Sequence, residues 1–368
     1  MLCYSTLKSL FLLFLIIITQ TTPKSSLISF SEKIVESDLE NNTRHLVQLK
    51  IGEPPQILKV KLSTAICGIW VYNKSSFGNG YDISKSTTVE NIGMNGRVDN
   101  YIGKYIKDQI KFWDYTVPSV PILLVDSDGK NNQRQMHDGL LGFGYQCKSK
   151  SYGNVDINKL FIENSKEPRE DVVSFTLNDT TGKGMIYPGK IPSYVNVTSR
   201  HYREVKLDIW NYNGNWEIPI HSVYFPNGDM FLINDNLAVG FGGTFFSVKK
   251  EFFEFLSTQY FLYDIENGLC SERKREAYEI LCTEDYDPNK LGTLSVVVGK
   301  WNFKLYPEKL FHKIRTGGET RMWCSIVYYP EYNKYYISQK LFTNSTVIYN
   351  RKKDVIGIYE HKDINITN

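Results

Sequence analysis

The sequence predicts an all-β protein with a few short helices. Runs of alternating apolar residues, or of β-branched and aromatic residues, recur along the chain between Gly, Asn and Pro turns. A helical period is clear in only one place. With 368 residues and 42% hydrophobic side chains, the chain can fill two lobes, each with its own core.

The elements follow in order. Residues 45–51 place Val47, Leu49 and Ile51 on one side of a strand. Gly52-Glu53-Pro54-Pro55 ends that strand, because neither proline can donate to a ladder, and residues 57–62 resume the alternation. Residues 172–177, 202–209 and 293–298 read as further strands. Residues 248–260 carry the helical period, with Phe252, Phe253, Phe255 and Leu256 on one face. Charge runs at 272–276 and 351–354 fit solvated loops and turns. Periodicity alone leaves a sandwich, a barrel and a two-lobed fold open.

Residues 1–23 read as a secretory signal: Lys8 precedes an apolar run over 10–18, followed by polar Thr19, Gln20, Thr21 and Thr22. The run is too short to span a bilayer, and no later stretch would do so. A secreted, extracellular protein with no membrane attachment after signal cleavage is expected. Sequons at Asn41, Asn73, Asn178, Asn196, Asn344 and Asn365 fit a glycoprotein. Once Cys3 leaves with the signal, Cys67, Cys147, Cys270, Cys282 and Cys324 remain. Their odd number leaves one thiol free or bridged to another molecule, and the residues alone leave the pairing open.

A net charge of +3 gives no support to nucleic-acid or membrane-surface binding. With 43 Lys and Arg against 40 Asp and Glu, acidification would leave a cationic, self-repelling surface. No C-x-x-C or His-x-x-x-His spacing supports a metal site. Gly240-Phe241-Gly242-Gly243 lacks both the third glycine of a dinucleotide fingerprint and the Lys-Ser/Thr of a P-loop. No cofactor is expected.

Several segments, in order, carry a resemblance. VQLKIGEPPQ at 47–56 is followed by Leu62-Ser63-Thr64-Ala65-Ile66-Cys67-Gly68-Ile69-Trp70-Val71, then DGLLGFG at 138–144. Residues 172–177, 185–191 and 216–223 come next, then LAVGFGGTFF at 237–246 and a closing stretch over 335–357. Over 45–359 this resembles the pepsin-like aspartic endopeptidase family, the pepsin and retropepsin type of acid protease. The resemblance implies a bilobal fold of two β-barrel-like lobes with a cleft between them. It places the lobes at residues 45–190 and 191–361, after a short segment at 24–44 and before a tail at 362–368.

Members of that family hold two aspartates so close that they share a proton: the ionised one activates water and the protonated one polarises the scissile carbonyl. Laid on the family's two active-site loops, Ser63 and Gly240 take the aspartate positions. Thr64 and Ala65 follow in the first loop, while Gly242 and Thr244 match the second. A rival register puts Asp235 at the second position but loses the motif's Gly and Ser/Thr. Since the dyad titrates as a unit, a single carboxylate cannot perform both tasks. A nucleophilic role for Ser63 would need a base and an oxyanion hole, and none of the six histidines has a spacing tied to it.

Other departures concern the surroundings. Tyr101 is the candidate for the tyrosine of the mobile hairpin that covers the cleft, one position out of register. Ala65 and Ser338 replace glycines that let two loops pack closely. Cys282 and Cys324 match the family's disulfide pair in the second lobe. The expectation is a catalytically inactive homologue whose interlobe cleft receives an extended peptide or protein segment. The alternatives are an endopeptidase that uses Asp235, and a secreted interaction or structural glycoprotein that acts through its outer surface.

Overall fold

The computed structural model describes residues 28–34, 43–78, 80–98, 101–112, 115–127, 137–145, 155–165, 169–178, 183–208, 215–241, 245–275, 277–342 and 344–361. The expected all-β architecture forms, with one 13-stranded and one 10-stranded sheet. The predicted strands appear as Thr43–Ile51, Gln56–Ser63, Val172–Asn178, Tyr202–Lys206 and Leu294–Val298. Their alternation sends Val47, Leu49, Ile51, Leu58, Val60 and Leu62 into a core that leaves each less than 5% exposed. Gly52 takes a positive φ of 81° at the turn between the first two. A strand not expected from the sequence, Ile28–Ile34, pairs with both Lys183–Pro188 and Thr43–Ile51.

The predicted helix is longer than its period indicated. Lys250–Leu256 is α-helical, Ser257–Phe261 is a π turn, and Leu262–Glu266 is α-helical again. The wider turn accounts for the buried face, because Phe261 follows Leu256 into the core at a spacing of five, where regular helix would present Tyr260.

The two halves repeat one arrangement. In the first, Gln56–Ser63 runs parallel to Gly139–Phe143, which is antiparallel to Cys67–Tyr72, which is parallel to Tyr115–Ser127. In the second, Met230–Gly240 runs parallel to Tyr335–Ser338, which is antiparallel to Phe246–Val248, which is parallel to Glu319–Tyr328. The registers coincide: Ser63 stands beside Gly142, and Gly240 beside Ser338. Gly142 has no room for a side chain, since a Cβ there would lie 2.2 Å from the Ile66 carbonyl oxygen. Ser338 is fully buried and uses its Oγ to accept from the Lys340 N–H at 3.3 Å.

Strands from late in the chain tie the halves together. Ser345–Asn350 pairs with Val172–Asn178 and with Val355–Glu360, so the end of the chain completes the larger sheet. Trp216 Nε1 donates to the Phe143 carbonyl at 3.1 Å, and Gln339 Nε2 donates to the Phe175 carbonyl at 2.9 Å.

The expected Cys282–Cys324 bridge does not form. Cys282 is bonded to Cys270, its direct cross-strand partner in the Cys270–Lys274 and Tyr278–Cys282 hairpin. Cys324 is a buried free thiol. The register explains this: the residue opposite Cys324 is Ile280, while Cys282 faces Met322. Cys282 and Cys324 are therefore diagonal neighbours, and direct partners lie closer than diagonal ones. Cys67 is also disulfide-bonded, and Cys147 lies outside the described residues.

Candidate functional site

Ser63 ends one strand of the repeated pair and Gly240 ends its counterpart. Ser63 is 6% exposed, and its Oγ accepts the Ala65 N–H at 3.2 Å. Thr64, 1% exposed, reaches across to the other half, where its Oγ1 accepts the Phe241 N–H at 2.8 Å. The two strand ends thus meet through one side-chain-to-backbone hydrogen bond between residues adjacent to Ser63 and Gly240. Phe241 has no hydroxyl with which to return it.

Tyr336 fills the space beside Gly240. A side-chain carbon on Gly240 would lie 2.9 Å from Thr64 Oγ1, 2.9 Å from Tyr336 Cε2 and 3.1 Å from the Tyr336 hydroxyl oxygen. The Tyr336 ring packs against Phe245 with centroids 5.4 Å apart, so it cannot readily turn away. Burial raises the Tyr336 phenol above its ordinary pKa. Tyr349 behaves alike: burial first, then the neighbouring Tyr336, raises its pKa. Its interaction with the Thr64 side chain offsets part of the shift. Among the described residues, no carboxylate contributes to either shift. The floor of the junction, among those residues, includes two phenols whose pKa values burial raises.

Aromatic rings support this floor. Phe241 packs on Phe175 at 4.7 Å, and Tyr349 packs on Trp216 at 4.8 Å. Sequence reasoning missed Tyr336 and Tyr349. The signal available was the Tyr335-Tyr336-Ile337-Ser338 run, where a large phenol stands two residues before the serine aligned with Gly240.

The other predicted residues are distributed as follows. Asp235 is ion-paired with Lys249 and lies opposite Ile220, and its Oδ1 accepts the Asn236 N–H at 2.7 Å. Five residues of extended strand, about 16 Å, separate it from Gly240. Tyr101 opens the strand Tyr101–Phe112, directly after the turn that follows Glu90–Val98, and stacks on Trp70 with centroids 4.2 Å apart, which anchors the turn end of that hairpin. Ala65 is exposed. Gly242 and Thr244 lie outside the described residues, as do Asn41 and Asn365. Asn196 and Asn344 are exposed, and Asn178 lies at the end of Val172–Asn178. Asn73 caps the short helix Lys74–Phe77, and its Nδ2 donates to Asp126 at 2.7 Å. No group of His, Cys, Asp and Glu among the described residues is arranged to hold a metal ion.

Two tests follow from this geometry. Thr64→Val removes the acceptor of the buried Phe241 N–H, which is expected to cost about 1–3 kcal/mol in urea unfolding. Glu217 is 4% exposed beside Trp216, and burial, only partly offset by Asn215, raises its pKa. A carboxyl with a raised folded-state pKa loses stability as pH rises from its unfolded to its folded value, at about 1.4 kcal/mol per unit of elevation. Glu217→Gln is therefore expected to melt higher than the parent at pH 7, with the difference disappearing near pH 4.

Comparison with known proteins places this geometry in context. The family model for eukaryotic aspartyl proteases matches residues 44–361. Vacuolar protease A of Neurospora crassa is 25% identical over 208 residues, covering 51% of this chain and 52% of that protein. The probable vacuolar protease A of Trichophyton verrucosum is 22% identical over 233 residues, covering 59% and 56%. The chain spans about half the length of these relatives.

Proposed function

From the premise that the chain belongs to the eukaryotic aspartyl protease family, we propose that it is a catalytically inactive member whose interlobe cleft binds extended peptide or protein segments. Family membership alone implies aspartic-type endopeptidase activity. The observation against activity is the filled position at Gly240, where Tyr336 and Thr64 take the volume that a second aspartate would need. Ser63, its counterpart in the first half, offers a hydroxyl in place of a carboxylate. On this reading the hydrogen bond from Phe241 to Thr64 marks the junction of the two active-site loops, and supports Gly240 rather than Asp235 as the second position. The ion pair with Lys249 further occupies Asp235.

The retained strands around the junction support binding. A peptide laid across the cleft would form strand-like backbone hydrogen bonds, and the Ser63 and Tyr336 hydroxyls would donate to a carbonyl oxygen without attacking it. The signal-like first segment and the sequons fit secretion as a glycoprotein. Isothermal titration against a diverse pool of extended peptides tests the binding half of the proposal. Micromolar binding that leaves each peptide intact is expected, and absence of binding from pH 4 to 7 would refute it.

A further inference from the structure

We propose that a second pocket, remote from the Ser63 and Gly240 junction, binds a small monocarboxylate that carries an apolar group. The pocket encloses about 390 Å³ between Tyr202–Lys206, Val355–Glu360 and Trp301–Leu305. Neither Ser63, Thr64, Gly240 nor Tyr336 lines it. Its size suits a ligand of one aromatic or aliphatic side chain with a short polar head.

Arg203 supplies the recognition. Its guanidinium carbon lies 5.6 Å from the centre of the Trp301 ring and 6.0 Å from that of Phe303. One terminal nitrogen donates to the Asn302 carbonyl at 3.2 Å and lies 3.5 Å from a Glu360 oxygen. The Nε finds no acceptor. A guanidinium held by one carbonyl and one carboxylate at 3.5 Å can still donate to a ligand carboxylate. Lys304, also on the lining, is exposed and pairs with no carboxylate among the described residues. Arg203 and Lys304 against Glu360 leave one positive charge uncompensated in a concave site, which favours a monoanion over a dianion. His361 also faces the pocket, but burial lowers its pKa, and its Nε2 is engaged with Thr346 Oγ1 at 2.9 Å.

The apolar part of the ligand has a floor prepared for it. Phe303 and Phe342 meet edge to face at 5.3 Å, and Ile358 lies alongside. These side chains are at most 9% exposed, so the apolar surface left for a ligand is small and suits a single short apolar group.

Titration calorimetry on the full chain with N-acetylphenylalanine, its amide and inorganic phosphate tests the proposal. The acid is expected to bind at least tenfold more tightly than the amide and more tightly than phosphate. Arg203→Gln should weaken the acid at least tenfold, and Arg203→Lys should weaken it less. Glu360→Gln removes the competing carboxylate and should strengthen binding several-fold, an outcome that a purely structural Glu360 would not produce. Thermal unfolding of each variant identifies any that fail to fold, and the Glu360→Gln result stands independently of the arginine variants. Equal binding of acid and amide, tighter binding of phosphate, no binding by the parent, or weakening by Glu360→Gln would each overturn the assignment.

Discussion

A double variant that restores both carboxylates, Ser63→Asp with Gly240→Asp, is expected to show no peptide turnover and to lose several kcal/mol of stability. The new side chain at position 240 starts 2.9 Å from both Thr64 Oγ1 and a Tyr336 ring carbon. Relieving this overlap displaces a packed ring at about 1–3 kcal/mol. Burial of new carboxylates where the neighbouring groups are phenols adds a further desolvation cost. Adding Tyr336→Ile removes the overlapping ring and should recover about 1–3 kcal/mol, read as a shift in the urea midpoint. Absence of that recovery would show that Tyr336 is not the obstruction.

The second large effect concerns the joint between the halves. Arg351, whose side chain is 11% exposed, is ion-paired with Asp156, lies 3.7 Å from Asp171 and donates to the Gly144 carbonyl at 2.6 Å. Its guanidinium also covers Trp216 at 6.0 Å. Thus one side chain on the turn after Ser345–Asn350 fastens three segments of the first half beneath the Ser63 and Gly240 junction. Arg351→Met keeps the stem and removes the charge, leaving Asp156 without its cation. A loss of about 3–5 kcal/mol is expected in equilibrium unfolding. A loss below about 1 kcal/mol would mean that the joint rests on the aromatic contacts of Trp216, Tyr349 and Tyr145 instead.

Much of the fold was legible because a strand buried on one face must alternate, as Val47 to Leu62 do, while Val172 to Leu177, buried on both faces, showed itself by β-branched and aromatic residues. The strand Ile28–Ile34 was not legible, since Ser, Glu and Lys interrupt its apolar residues and its partners lie at 43–46 and 183–186. The disulfide was misread because the resemblance to the family chose the pair and the sequence does not show register; an offset of two residues between Tyr278–Cys282 and Glu319–Tyr328 decides which cysteine faces which. At the site, the loops around Ser63 and Gly240 could be identified from their neighbours in sequence. The contact of Tyr336 with Gly240 could not, because nearly a hundred residues separate the two and only the parallel pairing of their strands brings them together.

The central claim is that this chain keeps the protease architecture without its chemistry. Its most direct test is mass-spectrometric detection of peptide cleavage in a diverse peptide pool from pH 3 to 7, with the parent and Asp235→Ala measured side by side. The account predicts no cleavage above the background rate for either protein at any pH. Turnover by the parent that Asp235→Ala abolishes would contradict it and assign the chemistry to Asp235.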